Sequence, residues 1–252
     1  MVRPKVRIRF RKELDQRLLG HHDLLRVWER LLRRAELRPA QTEGFHKRPK
    51  IHFPSALAVG IRGLDEVVEL EMEQDYEPAE LVAALNARAP LGIAINSCER
   101  IPAGLRFSQP QAAEYEIRIP DDRTAAVAER IERWREAEAA SVAASASSSA
   151  QESTSAAAPS VEPRSDAASQ VDAAPVAAAT AVAAPVADAK PCPERLPATV
   201  QKLELADGAL RMRLTLGQGG AVRPRDLLAW LHLTDLEQAG VLLTRTRVEV
   251  SG

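Results

Sequence analysis

Near the N-terminus, hydrophobic residues fall on every second position. Val6, Ile8 and Phe10 alternate with Lys5, Arg7, Arg9 and Arg11, the period-two pattern of a strand with one buried face. After a polar loop at 13–16 the interval changes. Leu24, Trp28, Leu31, Leu32 and Ala35 recur at helical spacing and predict a helix over about 22–36. Asp23 sits in its first turn, where a carboxylate suits the positive end of the helix dipole. A short extended piece over 38–42 leads into an irregular basic loop marked by Gly44 and Pro49, and 51–59 reads as strand or extended loop. Beyond Gly60 and Gly63, Val68, Leu70 and Met72 alternate with Glu69, Glu71 and Glu73, a second half-buried strand. Pro78 opens a helix to about residue 87, Pro90 stops it, and Ile93 and Ile95 begin a short strand.

The order strand, helix, strand, strand, helix, strand then begins again. Tyr115, Ile117 and Ile119 alternate with Glu114, Glu116 and Arg118, and Val127, Ile131 and Trp134 follow Asp121 and Asp122 at helical spacing. Two strand-like runs flank Asp207-Gly208, a strong two-residue hairpin signal. Pro224 opens a short helix with Leu227, Leu228 and Leu231, and a last strand spans 242–250. The pattern predicts an α+β fold of two tandem ferredoxin-like (βαββαβ) units. The first unit covers 1–104; the second covers 105–138 and 198–252. Between them, 139–197 is dominated by Ala, Ser, Val and Pro, with almost no large apolar side chain to offset chain entropy. It is expected to be a disordered insertion inside the second unit. In this topology the first strand lies beside the third, which sets Arg7 and Arg9 against Glu69, Glu71 and Glu73. The second unit reverses the signs, with Glu114 and Glu116 beside Arg211 and Arg213. Such cross-strand pairs explain the alternating charge without a ligand.

Net charge is −1 over 252 residues, so bulk charge selects no partner. Its distribution is uneven: residues 1–52 hold about 15 Lys/Arg against about 6 Asp/Glu, and residues 61–140 about 17 acids against about 9 bases. Such a molecule steers an anion to one end. The two cysteines, Cys98 and Cys192, form neither a disulfide framework nor a zinc spacing. With no apolar N-terminal leader and no apolar run of about 18 residues, the expectation is a cytoplasmic protein without membrane contact.

The run Leu19-Gly20-His21-His22-Asp23-Leu24-Leu25-Arg26-Val27-Trp28-Glu29-Arg30, followed by Gly44-Phe45, Pro49-Lys50-Ile51 and Gly60, resembles a bacterial domain of unknown function found with radical SAM proteins, either fused to them or encoded separately. Gly219-Gly220 and Arg223-Pro224 resemble its C-terminal motif. The resemblance covers about 5–135 and 197–250. His21, Asp23, Arg26, Lys50 and Arg223 match the pattern. Lys47 and Arg48 replace the proline and histidine usual in its loop, so any chemistry by that loop histidine is absent here. His22 stands where an aliphatic residue is usual. The resemblance implies a setting in RNA modification. This chain has no Cys-x3-Cys-x2-Cys triad, so the radical SAM protein is a partner, no cofactor is expected, and this chain is an accessory rather than an enzyme.

Each candidate site has a bland counterpart. His21 with Asp23 forms an acid–base pair, or else caps the helix and serves its dipole. Arg26, Arg30, Arg33 and Arg34 grip phosphates, or else form a solvated face. Lys47, Arg48, Lys50 and His46 beside Phe45 and Phe53 combine phosphate attraction with a stacking surface for an unpaired base, or else make a solubilising loop with its phenylalanines in the core. Gly219, Gly220 and Arg223 present amides and charge to an anion, or else form a plain turn. His21, His46 and His52 lack the paired spacing of a metal site. The leading expectation is an accessory that binds tRNA or rRNA for a radical SAM partner. The alternatives are a metal-independent RNA-processing enzyme resembling CRISPR processing proteins, with His21 or His46 as base and Lys50 stabilising the transition state, or a protein adaptor without nucleic acid.

Overall fold

A computed structural model describes residues 3–149, 193–194, 196–217 and 222–251, with backbone alone over 141–149. The first strand, β1 (Lys5–Lys12), buries Val6, Ile8 and Phe10. A 3-10 turn, Leu14–Leu18, replaces the expected loop, and α1 (His21–Arg34) lays Leu24, Val27, Trp28, Leu31 and Leu32 on the sheet. Asp23 in its first turn and Arg33 and Arg34 in its last complement the helix dipole. β2 is only Ile51–His52, because the rest of the predicted extended stretch breaks away before β3 (Arg62–Glu71). α2 (Pro78–Asn86) begins at its proline, and β4 (Ile93–Ile101) closes the first half.

The second half comprises β5 (Pro110–Arg118), α3 (Asp121–Ser149), β6 (Val200–Ala206), β7 (Ala209–Thr215), α4 (Pro224–Trp230), α5 (Asp235–Gln238) and β8 (Thr244–Val250). The hairpin between β6 and β7 turns at Asp207 and Gly208, both at positive φ (54° and 67°), the geometry an Asp-Gly pair supplies.

The eight strands among the described residues join one mixed sheet in the order β4-β1-β3-β8-β5-β7-β6, with β2 also on β3. Each half repeats one arrangement: its fourth, first, third and second strands are neighbours, every contact antiparallel. β3 joins the halves. Its C-terminal part pairs with β2 and its N-terminal part pairs in parallel with β8. One core lies under α1 and α2, and a second lies under the helices of the other half and takes in Leu57 and Ile61.

The cross-strand charges pair largely as the pattern predicts. Arg7 Nε donates to Glu69 at 2.9 Å, and Arg213 and Arg211 reach Glu114 and Glu116 at 3.0 and 3.1 Å. Arg9 instead meets Asp65 at 2.6 Å. The first of these pairs is not on a solvent face. Glu69 is fully buried because the segment after β4 crosses it, and Ser108 donates to its carboxylate from both N–H and hydroxyl.

The tract 139–197 starts and ends differently from expectation. α3 continues to Ser149. At the other end Leu196 enters the second core, and the Trp134 indole donates to the Pro193 carbonyl at 3.0 Å. The remainder of the expected disordered insertion, 150–192, lies outside the described residues.

Candidate nucleic-acid interface

The segment between α1 and β2 is an ordered finger rather than an irregular loop. Pro39 bridges to Met72 and Gln41 to Pro49. Ala40 N–H donates to the Glu71 carbonyl, and Thr42 and Arg48 are tied by two hydrogen bonds, N–H to carbonyl and N–H to hydroxyl. The finger is thereby fixed to the end of β3 and stands alongside α1.

Between finger and helix lies a cleft of ≈ 500 Å³. His22, Arg26, Glu29 and Arg33 line it from α1, and Lys47 and Arg48 from the finger. Leu25, Leu32, Leu37, Pro39 and Pro49 supply its apolar surface. Arg33, Lys47 and Arg48 form no ion pair among the described residues, and Arg26 has only a solvent-exposed contact with Asp23 at 3.3 Å. Exposed pairs of that kind contribute little, so four cations remain available. Beyond α1 a second recess of ≈ 490 Å³ is lined by Arg30, Arg33 and Arg34. The helix thus carries positive charge on both flanks.

The remaining predicted residues do not converge on this cleft. Lys50 turns away: its ammonium lies 3.1 and 3.3 Å from the two Glu71 oxygens. Phe45 and His46 are exposed at the fingertip, while Phe53 packs edge-on to Phe10 and Trp28. His21 leans on Phe53 with ring centroids 5.5 Å apart. Asp23 makes its contact with Arg26, not with His21. Nor does His21 cap the helix, because Gly20 is the N-cap. The histidine at the cleft is its neighbour His22. His52 stacks on Phe107 at 5.0 Å and meets the Ser108 carbonyl.

Arg223 stands at the start of α4, where Asp226 accepts from its backbone N–H at 3.1 Å and faces its guanidinium at 3.5 Å. Gly219 and Gly220 lie outside the described residues. No helix among the described residues is long and apolar enough to cross a membrane.

Sequence reasoning passed over Glu29 and Gln41, which also line the cleft. Glu29 was legible, since it lies three residues after Arg26 and four before Arg33 and so shares their face. Gln41 was not, because its position depends on its bridge to Pro49 across the finger.

Residues 5–177 match a known family. The match extends into the Ala/Ser/Pro-rich tract, which the sequence resemblance had left out, and ends before β6. No curated protein matches the chain. The matched family is that of uncharacterized proteins conserved in bacteria (DUF2344), and the chain belongs to it.

Proposed function

We propose that this protein is an RNA-binding accessory to a separate radical SAM enzyme, built from two ferredoxin-like units joined edge to edge. The repeated strand order supports the architectural reading. The cleft between α1 and the finger carries the functional one. It gathers Arg26, Arg33, Lys47 and Arg48 in one recess with a single carboxylate. A phosphodiester backbone neutralises such a cluster and releases its own counterions on binding. The acidic middle of the chain leaves net charge near zero, so attraction is confined to this end. The radical SAM partner rests on the resemblance of 19–30, 44–45 and 49–51 to the domain found with such enzymes. The partner performs the chemistry, and this chain holds the substrate.

Filter binding of bulk tRNA across a salt series tests the RNA reading. Binding that weakens steadily as salt rises supports it; absent or salt-independent binding ends it. Pull-down of the radical SAM protein with tagged chain, with and without RNase, tests the second part. Retention after RNase supports a direct partnership, and loss of the partner in both arms refutes it.

A further inference from the structure

The cleft holds one group that phosphate binding does not use. Glu29 projects among the cations, yet its carboxylate makes no hydrogen bond or ion pair among the described residues. A carboxylate in a phosphate site repels the ligand unless it meets donors of its own. The apolar surface beside it, including Leu25 and Leu37, offers a base ring a surface to pack against. At ≈ 500 Å³ the space has the size of a small-molecule pocket. It is large enough for one nucleotide.

We infer that, given RNA binding as proposed above, the cleft takes a single unpaired guanine nucleotide, with Glu29 reading its base edge. Two adjacent donors, N1–H and the N2 amino group, lie on guanine's Watson–Crick edge and match the two oxygens of one carboxylate. Uracil presents carbonyl oxygens on either side of its single N3–H, and these oppose Glu29. The base lies against Leu25 and Leu37. Its flanking phosphates meet Arg26 on one side and Lys47 and Arg48 on the other. Extruded bases are read in this way, by edge hydrogen bonds with apolar packing on the ring.

The test uses the full chain and fluorescently labelled U11, U11 with a central guanosine, and U11 with a central inosine, which lacks the N2 amino group. The guanosine strand is expected to bind at least about fivefold tighter than U11, the lower end of the range for a bidentate base contact. Inosine falls between them, and annealing the guanosine strand to its complement abolishes the preference. In Glu29→Gln the preference for the guanosine strand over U11 disappears; circular dichroism confirms the fold. Equal affinity for all three strands, or a preference surviving Glu29→Gln, overturns the guanine inference and leaves general RNA binding standing. Failure to bind any strand overturns both. GMP alone displacing the guanosine strand at equal concentration assigns the pocket to a free nucleotide and overturns the RNA-borne ligand.

Discussion

Glu66 forms an ion pair with Arg245 in a space that solvent barely reaches, with Lys12 nearby and bonded to the Leu19 carbonyl at 2.7 Å. Arg245 Nε donates to Glu66 at 2.8 Å, and the second Glu66 oxygen also accepts from Arg245. Glu66 also attracts Lys12. Exposures are 4% for Glu66 and 1% for both cations. Arg245 further reaches Ser55 Oγ at 3.0 Å and the Ala56 carbonyl at 3.3 Å. Removing the anion leaves the Arg245 charge buried and unpaired and takes a favourable field from Lys12, whereas removing Arg245 leaves Glu66 the attraction of Lys12. Glu66→Gln is therefore expected to lower stability by about 3–5 kcal/mol, and Arg245→Met by less, as read from urea unfolding; the reverse order would refute this account of the junction. Burial holds Lys12 below the usual lysine range, against the pull of Glu66. Between the folded and unfolded pKa values the unfolded chain binds more protons, so the Lys12 contribution to stability rises with pH through that window. Relative to Lys12→Met, the wild type should gain stability as pH climbs toward about 10.4. A constant difference would contradict it. Lys12 continues the inward parity of Val6, Ile8 and Phe10, so its burial was legible in position and concealed only by its charge.

Among the elements, β4 is the outermost strand of the first half, and α2 guards it. The Asn86 amide donates to the Ile95 carbonyl at 3.0 Å and accepts from the Ile95 N–H at 2.9 Å. One side chain thus occupies two of the groups that a further strand would use. Asn86→Ala should cost about 1–3 kcal/mol through those unpaired groups, and concentration-dependent association should appear in light scattering because an open edge invites pairing. An unchanged unfolding midpoint would remove this role. The turn before β4 is equally constrained. Gly92 has φ +90°, and an added Cβ would lie 2.6 Å from the Glu13 carbonyl oxygen. Gly92→Ala should destabilise by more than about 1 kcal/mol. Strongly periodic elements were legible in the sequence: β1, β5, β7 and α1 each repeat a pattern dictated by one buried face, whereas β3, located by its alternation, is buried on both faces over residues 66–70. The two-residue β2 and the four-residue α5 were not, since so short a run carries no periodicity. Nor was the choice of His22 over His21 at the cleft, because it depends on where the finger stands.

For the whole molecule, much of the charge that is separated along the sequence is paired in space, as in Arg7–Glu69 and Arg9–Asp65, and a basic excess is left on α1 and the finger. The sheet's other polar face is largely self-neutralised: Arg213 meets both Glu114 and Glu249, at 3.0 and 2.6 Å. Lys50 of the finger is likewise paired with Glu71. Among the described residues, cations without a strong ion pair converge on one cleft at α1, Lys47 and Arg48. That the charge lay near 19–53 was legible in composition; which cations stay free was not, since strand pairing decides it. The account predicts that RNA affinity resides in these side chains and nowhere else of comparable strength. The most direct test is the slope of log affinity against log salt for single-stranded RNA, in the wild type and in Arg26→Ala/Lys47→Ala/Arg48→Ala. Four phosphate contacts give a wild-type slope of about −3, and the triple variant should fall to about −1 with much weaker binding. A variant that binds as tightly as the wild type, with the same slope, would contradict the account.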